Sequence, residues 1–110
     1  MARFIKGDVV VLPFPFSDLT QSKRRPALIV ADLKGNDVIL CQITSQWVKD
    51  DCAISIYDSD FIKGNLKQKS YARPNRIFTA DSSIILYSAG HINQSKCDEV
   101  IEKIIKILRQ

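Results

Sequence analysis

The sequence has little of what metal sites and disulfide-linked folds need. Its 110 residues include one histidine, His91, and three cysteines, Cys41, Cys52 and Cys97, with no C-x-x-C pair. An odd number of widely spaced cysteines argues against a disulfide framework and against a zinc knuckle. A single histidine cannot supply a paired-histidine metal site or two-histidine acid–base catalysis. We therefore expect no metal and no cofactor.

Long apolar runs are also absent. No segment approaches the roughly 20 apolar residues that a membrane-spanning helix needs, and the opening MARFIKGD becomes charged before a signal-like segment develops. With 45% hydrophobic and 25% charged residues, the composition is that of a folded chain with room for one modest core. These features predict a single domain over residues 1–110 that is cytoplasmic and has no membrane partner.

Short β-branched runs between turn signals fill most of the chain. Asp8–Leu12 and Ala27–Ala31 lie beside prolines and have the composition of buried strands. Asp37–Ile43 follows the turn signal K-G-N, so the second and third runs are expected to form a hairpin. Three further short apolar segments follow, at 53–57, 76–78 and 84–87. Five or six short strands predict a mainly β fold, a small barrel whose closure removes exposed edges.

The C-terminal segment has a helical pattern. Its apolar residues recur at the i, i+3, i+4, i+7 spacing of one helical face: Cys97, Val100, Ile101, Ile104, Ile105 and Leu108. Ser95 is expected to cap the first turn. The spacing predicts an α-helix that packs across one end of the barrel, and an exposed stripe that binds a partner is the alternative.

Charges are segregated along the sequence, which has 16 Lys+Arg, 12 Asp+Glu and a net charge of +4. Phe61–Ala80 carries five cations and no acid, and Lys23, Arg24 and Arg25 form a second basic cluster. Asp50–Asp60 carries four acids and no cation. This distribution suits a groove for a polyanion with a repelling rim, but ordinary surface variation explains the charges equally well.

Pro13–Lys23 predicts an irregular loop of about ten residues, which is longer than most connections in a compact domain. Long loops on rigid scaffolds often bind ligands. The rings of Phe14 and Phe16 in this loop either stack on a nucleic-acid base or belong to the core.

A proline directly follows the basic cluster. Pro26 keeps Arg25 in an extended conformation at the mouth of a buried strand, which gives the guanidinium a defined direction. The planar guanidinium suits phosphate recognition, but it can equally pair with a structural carboxylate such as Asp8 or Asp18.

The motifs occur in an order that resembles a known family. In sequence order they are G-D-V-V at 7–10, K-R-R-P-A-L-I-V at 23–30, I-T-S at 43–45 and K-S-Y-A-R at 69–73. This order resembles the MazF/PemK family of toxin endoribonucleases from type II toxin–antitoxin systems. The resemblance implies an SH3-like barrel with a C-terminal helix, a homodimer with RNA in the groove between subunits, and a small antitoxin partner.

The resemblance also implies metal-independent cleavage of single-stranded RNA at short sequences. The family's arginine before proline and its strand-end threonine match Arg25 and Thr44, which are the expected catalytic residues. A later arginine that contributes in some members matches Arg73. Where some members have an acid two residues later, this chain has Asn75, and the first loop lacks the histidine that other members use.

The chemistry of RNA cleavage fits these assignments. If the 2′-hydroxyl of the RNA attacks the phosphorus, the protein mainly aligns the attack and stabilises the developing charge, which an arginine does well. Thr44 can donate its hydroxyl to a phosphoryl oxygen, and Ser45 and Arg24 are expected to support the pair. A backbone cap is the structural alternative for Thr44 and Ser45. The group that removes the 2′-proton is not identified by the sequence.

Further side chains are expected to contact the RNA strand: Phe16, Ser17, Lys23, Lys67, Lys69 and Ser70. Trp47 either stacks a base or packs in the core or at a subunit interface. His91 is expected at a turn or on the surface.

The function predicted from the sequence is therefore a toxin endoribonuclease that cuts mRNA and is neutralised by an antitoxin. A non-catalytic nucleic-acid-binding protein of the same fold, which represses its own operon through operator DNA together with the antitoxin, is the alternative. A protein-interaction scaffold is a third class, and it predicts no salt-dependent affinity for RNA.

Overall fold

Seven β-strands and one α-helix make up the part of the chain that the computed structural model describes, residues 3–15, 22–47, 49 and 51–110. The elements are β1 (Asp8–Pro15), β2 (Ser22–Asp32), β3 (Asp37–Thr44), β4 (Ile54–Ile56), β5 (Phe61–Gly64), β6 (Ser70–Asp81), β7 (Tyr87–Ile92) and α1 (Gln94–Leu108). Two 3₁₀ turns, Asp58–Asp60 and Ser82–Ile84, precede β5 and β7.

The strands form one curled antiparallel sheet in the order β4-β6-β3-β2-β1-β7-β5. The prediction of a mainly β fold with a C-terminal helix is confirmed. The sheet has seven strands, however, where five or six were predicted. The additional strand, β5, has the sequence FIKG and only two large apolar residues. Its conformation depends on pairing with β7, so the sequence carries little local signal for it.

Each face of the sheet covers a hydrophobic cluster. On one face, Val9, Leu28 and Ile43 belong to the same cluster as Val100 and Ile104 on the buried side of α1. The other face has its own cluster, made by Val10, Leu12, Phe14, Ala27, Ile29, Val38, Leu40 and Ile85. Because alternate residues of a strand point to opposite faces, the nearly continuous apolar runs of β1 and β2 supply both clusters.

The first connection is shorter than predicted. Strand β1 continues to Pro15 and β2 begins at Ser22, with Phe14 paired to Lys23 across the two strands. Pairing of β1 with β7 stops at Val11, so the β7 side of β1 is unpaired at its two prolines. The strand therefore tolerates the backbone N–H groups that these prolines lack. The ring of Phe14 meets that of Phe78 edge-on at 4.8 Å, which places Phe14 in the core.

The helix covers the predicted residues but begins earlier. Asn93, not Ser95, is the N-cap, and its side-chain oxygen accepts a 2.7 Å hydrogen bond from the backbone N–H of Lys96. Asn93 has the extended conformation that an N-cap needs, whereas Ser95 is already helical. No helix in the described ranges is both long enough and apolar enough to span a membrane.

The segment around His91 is a strand, whereas the sequence analysis placed a strand at 84–87 and a turn or surface position at His91. Strand β7 starts at Tyr87, and His91 pairs with Asp8 across β1 and β7. Its Nδ1 lies 2.8 Å from Asp8 Oδ1, and Asp8 Oδ2 accepts a hydrogen bond from the backbone N–H of Ile5. Asp8 therefore binds His91, not Arg25, in the described structure.

Burial gives Cys41 a measurable effect on stability at high pH. Desolvation raises the pKa of its thiol from 9.0 to about 12, against an opposing hydrogen bond from the backbone of Arg73. Because the folded protein holds this proton more tightly than the unfolded chain does, the contribution to stability is complete below pH 9 and is lost towards pH 12. We expect the free energy of unfolding, measured in urea, to fall with pH within this window. The fall should be steeper for the wild type than for Cys41→Ala by about 1.4 kcal/mol per pH unit. If the free energy of unfolding has the same pH dependence in the two proteins, this prediction is wrong.

Candidate nucleic-acid interface

The register of β3 and β6 brings the later arginine beside the strand-end threonine. Gln42 of β3 is paired with Arg73 of β6, and Thr44 is paired with Tyr71. Directly paired residues point to the same face, and so do residues two apart in one strand. The side chains of Gln42, Thr44, Tyr71 and Arg73 therefore share one face of the sheet.

The register of β2 and β3 brings Arg25 to the same place. Ala27 is paired with Gln42. Arg25 lies two residues before Ala27 and Thr44 lies two residues after Gln42, so both side chains point to the same face of the sheet as that pair. Arg25 is in turn paired with Leu12 of β1, which belongs to the hydrophobic cluster on this face. The face is thus apolar in its middle and polar where β2 begins and β3 ends.

An irregularity in β6 sets the direction of Arg73. The register shifts between Cys41, which is paired with Ile77, and Gln42, which is paired with Arg73, so three extra residues lie on β6. Such bulges redirect side chains next to functional sites. Pro74 within the bulge is fully buried and fixes the backbone directly after Arg73. The Nε atoms of Arg25 and Arg73 are both buried, while each residue as a whole is half-buried.

A cleft of about 250 Å³ opens where β2 begins and β3 ends, and we call it the first cleft. Its lining residues are Arg24, Arg25, Pro26, Ile43, Thr44, Ser45, Leu66, Lys67, Gln68 and Ser70. The lining includes three cations and no carboxylate. A small cleft with this charge is suited to a phosphodiester group.

The hydroxyl of Thr44 has a structural contact and a remaining capacity to bind. Its Oγ1 accepts a 3.1 Å hydrogen bond from the backbone N–H of Gln46. The backbone cap that the sequence analysis left as an alternative is therefore present. An accepting hydroxyl still has its own proton to donate, so the cap orients Thr44 without using its donor.

Comparison with known proteins decides the family. A family model described as "PemK-like, MazF-like toxin of type II toxin-antitoxin system" matches residues 5–108. The chain belongs to this family. The resemblance inferred from the R-R-P, I-T-S and K-S-Y-A-R motifs is thereby confirmed. No curated protein sequence gives a significant match.

Solved MazF structures share the fold at low sequence identity. MazF from Deinococcus radiodurans superposes with a TM-score of 0.79 at 17% identity over 100% of both chains. An endoribonuclease from a mycobacterial species, in complex with its cognate antitoxin, gives 0.76 at 14% identity over 96% of this chain and 95% of that chain. The Mycobacterium tuberculosis toxin MazF-mt6 gives 0.71 at 17% identity over 93% and 96%.

Six of the residues predicted for the MazF/PemK-like site line the first cleft together: Arg24, Arg25, Thr44, Ser45, Lys67 and Ser70. Arg73 does not line this cleft but shares a sheet face with Arg25 and Thr44. Ile43 and Leu66, which do line the cleft, belong to the hydrophobic cluster of the opposite face, so the cleft lies beside the polar face. Ser70 is only 3% exposed, and its hydroxyl donates to the backbone carbonyl of Gln68 at 3.0 Å, so it orders the wall of the cleft.

The other predicted residues lie apart from the first cleft or outside the described structure. Lys69 lines a neighbouring cleft, and Lys23 is exposed in β2. Phe16 and Ser17 lie outside the described residues, as does Asp18. Trp47 is 70% exposed, so it is not a core residue of this chain.

Sequence reasoning missed three side chains at this site. Gln42 lies between Arg73 and Thr44 on the polar face, and its only signal is a polar residue within an apolar strand. Gln68 and Leu66 line the first cleft from the segment before β6. Residues of this type in an irregular segment have no pattern that indicates a binding site.

Proposed function

We propose that the protein is a toxin endoribonuclease that cleaves single-stranded mRNA at short specific sequences without a metal ion. The observation that carries this proposal is the convergence of Arg25, Thr44 and Arg73 on one polar face beside a cationic cleft. Membership of the MazF/PemK-like family supports it, because related solved chains are described as endoribonucleases. We also propose that residues 1–110 act as a single domain in the cytoplasm.

The proposed reaction uses the substrate's own nucleophile. The 2′-oxygen forms a bond to phosphorus, the bond from phosphorus to the 5′-oxygen breaks, and the products are a 2′,3′-cyclic phosphate and a 5′-hydroxyl. The 2′-proton goes to a base, and the leaving oxygen gains a proton. No step changes an oxidation state, so RNA is the only substrate that the bond changes need.

The arginines stabilise the charge that gathers on the phosphoryl oxygens. A guanidinium fork matches two of these oxygens, and a fixed donor is worth more in a desolvated cleft than in water. Arginine stays protonated at neutral pH, so we assign Arg25 and Arg73 an electrostatic role. A phosphate oxygen or a water then takes the 2′-proton, while Thr44 and Ser45 donate hydrogen bonds that align the attack.

The partners follow from the same family. We propose a homodimer with RNA in the groove between subunits, and inhibition by a cognate antitoxin, as in the mycobacterial relative solved with its antitoxin. Binding of operator DNA by the toxin–antitoxin complex is the accompanying regulatory proposal. Lys23, Lys67 and Lys69 supply phosphate contacts, so RNA affinity should fall steeply with salt.

The test is to incubate the purified protein with a long RNA in EDTA and map the new ends. Cleavage at a limited set of sequences, with cyclic phosphate on the upstream fragments, is the expected result. Salt-dependent binding without cleavage would instead support the non-catalytic nucleic-acid-binding alternative. If the protein neither binds nor cleaves RNA, the remaining hypothesis is a protein-interaction scaffold.

A further inference from the structure

A second cleft of about 390 Å³ adjoins the first cleft. It is lined by Ile56, Tyr57, Asp58, Phe61, Leu66, Lys67, Gln68 and Lys69. Leu66, Lys67 and Gln68 line both clefts, so this segment is a wall that the two clefts share. A strand of RNA with a phosphate in the first cleft can pass this shared wall and place a neighbouring nucleotide in the second cleft.

Tyr57 gives the second cleft an aromatic surface on a fixed backbone. The residue is 52% exposed, so its ring is accessible to a ligand. Its backbone N–H donates to Asp60 Oδ2 at 2.8 Å, and its carbonyl accepts from the Asp60 N–H at 2.9 Å. The ring can therefore stack on a base with little loss of backbone entropy.

The ammonium of Lys69 lies over the ring of Tyr57 and also over that of Tyr71. Lys69 Nζ is 6.0 Å from the centroid of Tyr57 and 5.8 Å from that of Tyr71. Tyr71 is paired with Thr44, so Lys69 lies between the second cleft and the polar face that carries the catalytic residues. Lys67 is exposed on the shared wall. An exposed ring flanked by lysines is the combination that binds single-stranded nucleic acid.

Two other charged residues near Tyr57 are Lys96, which is already engaged, and Asp58, which lines the second cleft. Lys96 Nζ is 5.8 Å from the Tyr57 centroid, but its side chain is only 11% exposed, and the ammonium lies 3.1 Å from the Ser55 carbonyl and 3.1 Å from Glu99. Lys96 therefore supports the ring from α1 and is not available to RNA. Asp58 lines the second cleft and repels phosphate, which favours a phosphate at the lysine side.

We propose that the second cleft is a nucleotide subsite of the RNA substrate, in which one unpaired base stacks on Tyr57 and its phosphate contacts Lys67 and Lys69. This inference rests on the proposed endoribonuclease function. It adds a subsite adjacent to the scissile phosphodiester and makes Tyr57 a substrate-binding residue. A bound peptide segment of a protein partner is the competing occupant that the test must separate.

The first experiment measures kcat and KM for cleavage by Tyr57→Ala. We expect KM to rise about tenfold or more with kcat nearly unchanged, because base–aromatic stacking contributes about 1–3 kcal/mol per base. Tyr57→Phe should retain the wild-type KM. Tyr87→Ala is the matched control, because Tyr87 is 51% exposed and does not line either cleft. An unchanged KM in folded Tyr57→Ala would overturn the inference.

The second experiment observes the subsite without cleavage. Random-sequence RNA that carries 5-bromouridine and 2′-O-methyl groups lacks the 2′-nucleophile, so it is bound but not cut. Photocrosslinking to wild-type protein, mapped by mass spectrometry, should label Tyr57 and not Tyr87. Crosslinks elsewhere but not at Tyr57, or a Tyr57→Ala variant that loses only antitoxin affinity, would assign the second cleft to another ligand. If the wild type cuts no RNA in EDTA but crosslinks at Tyr57, the proposed function fails and the nucleotide subsite stands.

Discussion

Replacing Arg25 with alanine is expected to reduce kcat for RNA cleavage by about 100- to 1000-fold, because fixed donors to developing negative charge contribute on this scale. The residue lines the first cleft together with Thr44, and its Nε is buried, which restrains the guanidinium. Single-turnover cleavage of a defined RNA in EDTA measures the effect. The fold should survive the change, because the side chain is only half-buried.

Two further variants test whether the contribution of Arg25 to kcat comes from its positive charge or from the planar geometry of its guanidinium. Arg25→Lys keeps the positive charge but loses the planar fork, so an intermediate rate is expected. Arg109→Ala removes an exposed arginine at the end of α1 that lines neither cleft, and this variant should cleave RNA at the wild-type rate. If Arg25→Ala cleaves RNA as fast as Arg109→Ala, the assignment of Arg25 is wrong.

The elements that the sequence predicted well are those with a local cause. The spacing of Cys97, Val100 and Ile104 predicts α1, because one helical face must be apolar to pack on the sheet. The hairpin between β2 and β3 follows from Gly35. Its φ of +89° is a backbone conformation that residues other than glycine rarely adopt, and the turn requires it. Strand β5 was not predictable, because it depends on pairing with β7, which is distant in sequence. The extension of β1 to Pro15 was missed because its two prolines indicate a loop, although pairing with β2 continues through both of them.

In the candidate site, too, some features have a local cause in the sequence and others depend on strand pairing. Two arginines that precede prolines, Arg25 and Arg73, are visible in the sequence, and each proline restricts the backbone of the arginine before it. Their convergence depends on the register of β2 with β3 and on the bulge in β6, which no local pattern specifies. Tyr57 was missed because it lies in the acid-rich segment, where charge alone argued against RNA.

The close approach of β5 to β7 makes Gly64 the position at which a single methyl group should do most damage. Its φ is +72°, and a Cβ built there would lie 2.1 Å from the Ala89 carbonyl oxygen and 2.7 Å from Gly90 Cα. Both contacts are with backbone, so no side-chain rotation can relieve them. The strained conformation costs about 1–2 kcal/mol, and overpacking adds about 1–3 kcal/mol. We therefore expect Gly64→Ala to lower the free energy of unfolding by about 2–5 kcal/mol in urea titrations.

Gly35 provides the matched control for this prediction. Its φ of +89° is also positive, but a Cβ there meets nothing within 4 Å. Gly35→Ala should therefore cost only the conformational part, about 1–2 kcal/mol, and the difference between the variants isolates the steric clash. Because β5 begins at Phe61, which lines the second cleft, release of this edge strand should also raise KM for RNA. Equal losses in the two variants, with unchanged amide exchange in β5, would show that the strands do not approach this closely.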